Sequence, residues 1–214
     1  MVRMKGEVET VKRLFYPLGM ATLLGFFAIL LSYSSEPFRE IDGTMSQSLK
    51  NMRILDSISV LGDQWVIFLV SMALLLYLWL HQRNYRGMLF VVLSIGAGNA
   101  LNQLLKHLFE RERPDFPHGL ESFSFPSGHA MVGLLYLFTA AYFISEQGLS
   151  KTAKWTVWIA AIGLVFCIGL SRVAGSEHYF SDVLAGWFAG YTWFVAVAVW
   201  YEARRRAFRK LSKQ

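Results

Sequence analysis

Long apolar stretches separated by short polar stretches dominate this chain. Six of the apolar stretches reach the roughly 20 mainly apolar residues that a helix needs to span a bilayer. They lie at about residues 15–34, 57–80, 87–109, 128–146, 154–174 and 182–203. The pattern therefore predicts an all-α fold, a bundle of six transmembrane helices that forms a single domain over residues 1–214.

The polar stretch between the first two spans, Ser35 to Asp56, has a weaker pattern of its own. Its apolar residues recur at near-helical spacing, and they are Ile41, Met45, Leu49 and Met52. Such spacing is typical of an amphipathic helix that lies on the membrane surface. An ordinary extramembrane loop is an equally good interpretation, and the sequence leaves both open.

The composition agrees with a membrane protein rather than a soluble one. Hydrophobic residues make up 54% of the 214 residues and charged residues only 17%, so the chain has more apolar surface than a soluble domain of this length can bury. The net charge of +6 does not predict nucleic-acid binding, because the Lys and Arg residues lie at the ends of apolar runs. The single cysteine, Cys167, lies within an apolar run and excludes a disulfide within one chain.

The distribution of positive charge predicts the orientation of the bundle. Lys and Arg are retained on the cytoplasmic side of a membrane, and 14 of the 21 in this chain lie before the first span, after the last, or after spans two and four. Both termini are therefore predicted to be cytoplasmic. Three polar clusters at the other ends of spans three to six then face the extracytoplasmic side.

The first polar cluster lies at the end of span three and continues to Arg113 and Pro114. Four polar residues of this span are spaced i, i+3, i+4 and i+7, and they are Asn99, Asn102, Gln103 and Lys106. This spacing places them on one helix face, and polar faces of membrane spans point into the bundle. The pattern predicts that Lys106 points inward and that Pro114 ends any helical continuation just after Arg113.

The second cluster, Phe125–Pro126–Ser127–Gly128–His129, opens span four. Free backbone N–H groups and the positive end of the helix dipole make such a start a site for an anion, and Gly128 allows close backbone approach. Taken alone, the same residues are also an ordinary helix start with Ser127 as the N-cap. His129 favours the anion site, because an imidazolium in the first turn needs a compensating anion.

The third cluster joins spans five and six and contains Arg172, His178 and Asp182. His178 and Asp182 are four residues apart, so they share one helix face if span six begins near His178. Asp182 then accepts a hydrogen bond from one ring nitrogen of His178, which leaves the other nitrogen free to act as a nucleophile.

The three clusters together resemble the motifs of a known family. Lys-x6-Arg-Pro, Pro-Ser-Gly-His and Ser-Arg-x5-His-x3-Asp occur in this order over residues 106–182. On a membrane chain they are similar to the motifs of the type 2 phosphatidic acid phosphatases, the PAP2 superfamily, whose pocket is shared with vanadium haloperoxidases. One departure, Val173 to Ser176, replaces an aromatic-aliphatic pair that relatives often carry, and it concerns the substrate entrance.

The resemblance implies a role for each motif residue. Three cations are expected to hold the phosphate oxygens, and two residues at the start of span four are expected to add donors. His178 would attack phosphorus and form a phosphohistidine, Asp182 would orient His178, and His129 would act as general acid. The expected phosphate-binding residues are Lys106, Arg113, Ser127, Gly128 and Arg172.

The implied substrate is a phosphate monoester or diphosphate of a membrane lipid. Undecaprenyl pyrophosphate and phosphatidylglycerol phosphate are favoured, but the motifs read only the phosphate and do not choose between them. The expected location is the cell membrane, with the active site at the extracytoplasmic face. The expected partners are the lipid substrate and the bilayer, without nucleic acid.

No metal or other cofactor is expected. Several potential ligands lie in or near the loop after span three, but their spacing matches no standard metal site; they are His107, Glu110, Glu112, Asp115, His118 and Glu121. A transporter or non-catalytic lipid-binding bundle is the main alternative, although the polar residues cluster at one membrane face rather than at the midplane. A haloperoxidase is a further alternative, which the membrane spans disfavour.

Overall fold

The computed structural model describes residues 3–50, 52–114 and 122–211, and within these ranges all regular structure is helical. The helices are α1 (Arg3–Ser32), α2 (Glu36–Leu49), α3 (Arg53–Ser59), α4 (Gln64–Leu80), α5 (Tyr85–Val91), α6 (Gly98–Phe109), α7 (Gly128–Ser145), α8 (Lys151–Ala174) and α9 (Phe180–Leu211). A π-helical segment, Val92–Ala97, joins α5 to α6. The predicted all-α class is confirmed.

Four helical segments among the described residues are long and apolar enough to cross a membrane, namely Tyr85–Phe109, Gly128–Ser145, Lys151–Ala174 and Phe180–Arg206. They correspond to the last four predicted spans. The first predicted span, from Tyr16 to Ser32 in the described helix, bends by 101° into α2, and the pair together passes the same test. The structure therefore supports four spans, or five with the bent pair, and does not confirm the count of six.

The second predicted span begins later than expected. Its residues from 57 onwards are divided between the short α3, a 3₁₀ turn at Val60–Gly62 and the 17-residue helix α4. The chain is tightly packed at this break, since a Cβ on Gly62 would lie 2.5 Å from Cδ2 of His129 and 2.8 Å from Cγ2 of Ile168. Asp63 follows in an extended conformation and comes next to His129.

Of the two interpretations of the stretch after the first span, the structure supports the helix. Glu36–Leu49 is α2, and Pro37 in its first turn suits a helix start. The helix packs against α8 and α9 rather than standing apart from the bundle. Its buried residues include Asp42, only 5% exposed, whereas its other charged residues, Glu36, Arg39 and Glu40, are exposed.

Helix α7 lies in the centre of the bundle between α8 and α9. Gly186 and Gly190 of α9 lie against its backbone, where added Cβ atoms would be 2.7 Å from the Ser127 carbonyl oxygen and 3.0 Å from that of Met131. Small residues four positions apart allow membrane helices to approach this closely. Gly98 of α6 also makes a close contact, since a Cβ there would overlap the Leu135 side chain.

The starts of α7 and α9 are joined directly. The backbone N–H of Ser127 donates to the carbonyl oxygen of Asp182 at 3.0 Å, and the close approach at Gly186 holds the two helices together just beyond this point. Consequently the second and third polar clusters, more than 40 residues apart in the chain, lie side by side at one end of the bundle.

Candidate active site

His178 lies just before α9, and Asp182 lies in its first turn. Helix α9 begins at Phe180, so the condition for a shared helix face, a last helix that already includes His178, is not met. They nevertheless meet, with Nδ1 of His178 3.6 Å from Oδ2 of Asp182. Asp182 turns back toward the start of the helix, where Oδ2 accepts a hydrogen bond from the Tyr179 backbone N–H at 2.9 Å, in the manner of a capping box.

Ser124 bridges the two residues. Its Oγ lies 3.3 Å from Nδ1 of His178 and donates to Oδ2 of Asp182. With the Nδ1 proton directed at Ser124, the lone pair of His178 is on Nε2. Sequence reasoning missed Ser124, although it lies just upstream of the second motif and is fully buried.

Burial sets the protonation of His178. The side chain is 2% exposed, and burial lowers the pKa of His178 to about 3, against the opposing effect of Asp182. The imidazole is therefore neutral at pH 7, as a nucleophile must be. Asp182 has no exposed surface, so its carboxylate acts only on the groups that surround it.

Arg113 lies directly against Nε2 of His178, the ring nitrogen that is expected to act as the nucleophile. One of its terminal nitrogens, Nη1, is 3.2 Å from Nε2 of His178 and donates to the Glu177 carbonyl oxygen at 2.7 Å. Nε and Nη2 bond the carbonyl and hydroxyl oxygens of Ser122 at 2.7 and 2.9 Å. The guanidinium is thus fixed beside the position that an attacked phosphorus would occupy.

Two more cations face the same space. Lys106 is 5% exposed, as the inward polar stripe predicts, and its Nζ donates to the Phe123 carbonyl oxygen. Arg172 donates to Oγ of Ser59 at 2.5 Å and pairs with Glu177. Glu177 was not singled out from the sequence, and it is the acidic neighbour that partly balances this cationic group.

The start of α7 carries the remaining candidates. Nε2 of His129 lies 3.4 Å from Oδ1 of Asp63, a partner that the sequence did not indicate because 66 residues separate them. Ser127 caps the helix, with Oγ 3.5 Å from the Ala130 backbone nitrogen, and is fully buried. Its hydroxyl therefore acts as the N-cap, as expected for an ordinary helix start. Gly128, in contrast, lines the cavity.

One cavity of about 670 Å³ connects these groups. Its polar end is lined by the three cations and the two histidines, and the whole polar stripe of α6 contributes to its wall; these residues are Asn99, Asn102, Gln103, Lys106, Arg113, His129, Arg172 and His178. Away from them the lining becomes apolar, with Phe68 and Leu75 of α4 facing Val91 and Ile95. A ligand with a phosphate head and a hydrocarbon tail matches this division.

Potential metal ligands are not gathered in the described part of the chain. No group of three or more His, Cys, Asp or Glu side chains there could hold a metal ion. Of the loop residues considered from the sequence, Asp115, His118 and Glu121 lie outside the described residues.

Comparison with known families gives a match to the model of the PAP2 superfamily over residues 87–206. These 120 residues are more than half of the chain and contain all three motifs. The chain is also 34% identical over 137 residues to phosphatidylglycerophosphatase B of Bacillus subtilis, a match that covers 62% of this chain and 66% of that protein. It is 25% identical over 181 residues to an undecaprenyl-diphosphatase of Sulfolobus acidocaldarius, covering 81% and 80%.

Solved structures have the same architecture. A crystal structure of a transmembrane PAP2-type phosphatidylglycerolphosphate phosphatase from Bacillus subtilis superimposes with a TM-score of 0.78 at 27% identity, covering 86% of this chain and 96% of that one. The Aquifex aeolicus LpxE structure gives a TM-score of 0.56 at 20% identity, covering 74% and 93%, and supports the fold alone.

Proposed function

The chain belongs to the PAP2 superfamily, as its three motifs predict, and we propose that it is a membrane lipid phosphatase that reacts through a phosphohistidine on His178. The observation that carries the proposal is the single cavity on which Lys106, Arg113, Arg172, His129 and His178 converge. The matched relatives are named as phosphatases of lipid phosphates, which agrees with the enzyme class that the motifs imply.

The phosphate is held by Lys106, Arg113 and Arg172. Their present partners are carbonyl and hydroxyl oxygens and one carboxylate, and a phosphate adds anionic oxygens that each cation can bind through a charge-assisted hydrogen bond. The backbone N–H of Gly128, at the positive end of α7, adds a further donor. This charge stabilises the phosphoryl group as it transfers, and we expect the reaction to need no added metal ion.

Attack then occurs at Nε2 of His178. The lone pair forms the N–P bond while the bond from phosphorus to the lipid oxygen breaks, and His129 gives its proton to that departing oxygen. The bound phosphate supplies the anion that a protonated His129 in the first turn of α7 needs, and Oδ1 of Asp63 lies 3.4 Å from Nε2 of the ring. Asp182 stabilises the positive charge that develops on His178.

Water completes the cycle. His129, now neutral, takes a proton from a water molecule whose oxygen attacks phosphorus, and the N–P bond breaks. Inorganic phosphate leaves, His178 recovers its lone pair, and His129 recovers its proton.

The apolar part of the cavity receives the lipid chain. Phe68, Leu75, Val91 and Ile95 line it, and hydrocarbon is favoured there over water. We take phosphatidylglycerol phosphate as the substrate, because the Bacillus relative is named for it and the matching crystal structure covers 86% of this chain. Undecaprenyl diphosphate is the second candidate, on the match to the Sulfolobus protein over 81% of this chain.

The active site opens at the extracytoplasmic face of the cell membrane, with both termini cytoplasmic. The bias of Lys and Arg toward the opposite ends of the helices supports this orientation. In a Cys167→Ser background, an impermeant thiol reagent on intact cells should label Glu112→Cys and leave Arg83→Cys unlabelled. The reverse labelling would contradict the orientation.

The central test is phosphate release by the purified protein in detergent. Wild-type protein should act on phosphatidylglycerol phosphate, keep its activity in the presence of a chelator, and form an acid-labile labelled intermediate during turnover. His178→Ala should lose at least about 1000-fold in kcat, the loss expected when a nucleophile is removed, and form no intermediate. Undecaprenyl diphosphate and phosphatidic acid are compared in the same assay.

His81→Ala is the matched control, because it removes an exposed imidazole at the far end of α4. It should behave as wild type. Phosphate release by His178→Ala at the wild-type rate would refute the assigned nucleophile, and loss of wild-type activity under chelation would refute metal independence.

A further inference from the structure

A buried arginine outside the cavity connects two carboxylates that are distant in the sequence. Arg111 lies between Asp42 of α2 and Asp182 of α9, with Nη2 3.2 Å from Oδ2 of Asp42 and Nη1 2.6 Å from Oδ1 of Asp182. The three side chains are 11%, 5% and 0% exposed. The guanidinium therefore pairs with both buried carboxylates, whose negative charges would otherwise be costly to bury.

The guanidinium has little freedom to move. Two aromatic rings face it, that of Tyr33 at 4.5 Å and that of Tyr179 at 4.1 Å from its central carbon. Nη1 also donates to Oγ of Ser181 at 2.8 Å. The two rings and the Ser181 hydroxyl fix the plane of the Arg111 guanidinium. They thereby fix the direction of its hydrogen bond to Asp182.

Asp42 holds this arrangement from the side of α2. Its Oδ1 accepts from the Ser181 backbone N–H at 2.7 Å, and its Oδ2 accepts from the Ser181 hydroxyl at 2.7 Å as well as from Arg111. One carboxylate thus satisfies a free N–H group in the first turn of α9 and anchors the arginine. Helix α2 is thereby joined to the turn that carries Asp182.

The two oxygens of Asp182 have separate partners. Oδ1 receives Arg111, whereas Oδ2 receives Ser124 and the Tyr179 N–H and faces the ring of His178. The bond to Oδ1 fixes the plane of the carboxylate and keeps it an anion. Both properties matter to His178, since a rotated or protonated Asp182 would no longer hold the Ser124 hydroxyl that faces the Nδ1 proton, or stabilise the positive charge on the ring.

We propose that Arg111 is a positioning residue of the phosphatase, acting on His178 through Asp182, and that Asp42 fixes Arg111. The proposal rests on the proposed role of His178 as nucleophile. Arg111 differs in this respect from Arg113, two residues further on, which lies on the cavity and faces Nε2 of His178.

A positioning role predicts a specific kinetic change. Binding of the phosphate depends on Lys106, Arg113 and Arg172, which the substitutions leave in place, so KM and the inhibition constant of inorganic phosphate should stay within about twofold. The chemical step depends on the alignment of His178, and misplacement by about 1 Å costs about 100-fold in rate. The loss should therefore fall on kcat alone.

The experiment compares Arg111→Lys, Asp42→Asn and the double variant in the detergent assay. Lys keeps the charge of Arg111 but cannot bond both carboxylates through a planar fork, and we expect kcat to fall about 100-fold. Asp42→Asn should lower kcat about tenfold, because Arg111 keeps its bond to Asp182 and loses only its anchor. The double variant should resemble Arg111→Lys alone, since both substitutions break one connection.

Glu40→Gln is the matched control for Asp42→Asn, because it removes one carboxylate from an exposed position of the same helix. It should leave kcat unchanged. Each variant is assayed on material that elutes as a single species in detergent, so that its folded concentration is known.

Three results would overturn the inference: wild-type kcat in Arg111→Lys, a raised KM with kcat preserved, or effects of the two substitutions that multiply in the double variant. His178→Ala in the same assay separates this inference from the proposed function. If His178→Ala stays active, the proposed function fails; if it is inactive while Arg111→Lys equals wild type, only the role of Arg111 fails.

Discussion

The two ends of the helix bundle both contain polar networks, but they are built differently. At the end that holds the starts of α7 and α9, three cations face a cavity, and Glu177 pairs with one of them. At the opposite end, charged groups pair with each other: Arg205 binds Glu146, and the Tyr142 hydroxyl donates to Glu202 at 2.7 Å. At the cavity end, Nε of Arg172 and Oδ1 of Asn102 are buried without a hydrogen-bond partner among the described residues.

The opposite end is dominated by aromatic packing. Phe90 stacks on Tyr142 at 5.2 Å between ring centroids and makes edge contacts with Phe143 and Tyr201 at 5.4 and 5.2 Å. Asn84, which caps α5, donates to the Tyr201 hydroxyl at 3.3 Å. At this end the polar atoms cap a helix and form hydrogen bonds with the hydroxyl groups of the packed aromatic rings.

The difference shows what distinguishes the end that holds the candidate active site. Buried hydrogen bonds occur at both ends, so a polar network alone does not indicate catalysis. The distinguishing feature is the excess of positive charge directed at an open space beside a neutral imidazole. Such an arrangement costs stability unless an anion binds, which is the property expected of a phosphate site.

The largest effect that separates the two ends concerns pH and stability. Because burial lowers the pKa of His178 to about 3, the unfolded chain binds a proton near pH 6.5 that the folded chain does not. The contribution of His178 to stability is therefore fully present above about pH 6.5 and is lost as pH falls toward 3. Between pH 7.5 and 5 we expect a loss on the order of 2 kcal/mol.

Thermal unfolding in detergent at several pH values measures this loss. His178→Gln, which cannot titrate, should lose less stability over the same pH interval than the wild type. Parallel curves for the two proteins would show that His178 does not carry the assigned pKa.

A smaller effect is expected at the opposite end. Tyr142→Phe removes the hydroxyl that binds Glu202 and should lower the free energy of unfolding by about 1 kcal/mol, with kcat unchanged because the cavity is untouched. Arg205→Gln should have the smallest effect, below about 1 kcal/mol, because the Arg205 and Glu146 side chains are 34% and 29% exposed.

Unfolding curves and phosphate release on the same preparations check both variants. A fall in kcat with unchanged stability in Tyr142→Phe would remove the distinction between the two ends, since it would couple the aromatic cluster to the chemistry.

The sequence predicted which residues line the candidate site more completely than how they contact one another. Lys106 was expected to point inward from its stripe spacing, and it does, because helical periodicity is a local property. His178 and Asp182 were expected to share a helix face if the last helix began near His178, but α9 begins at Phe180 and the contact arises at the N-terminal cap of the helix. The spacing of the two residues in the sequence indicated that their side chains meet. It did not indicate that they meet at the start of the helix rather than along one of its faces.

The amino-acid sequence by itself determined the all-helical class, the positions of the last four spans and the motif residues, because hydrophobic periodicity and short motifs are readable along the chain. Tertiary structure alone decided the break before α4, the contact between Asp63 and His129, and the connection from Asp42 through Arg111 to Asp182. Those contacts join residues 66 to 71 positions apart. They depend on which helix faces pack together and on the burial that makes each charge require a partner.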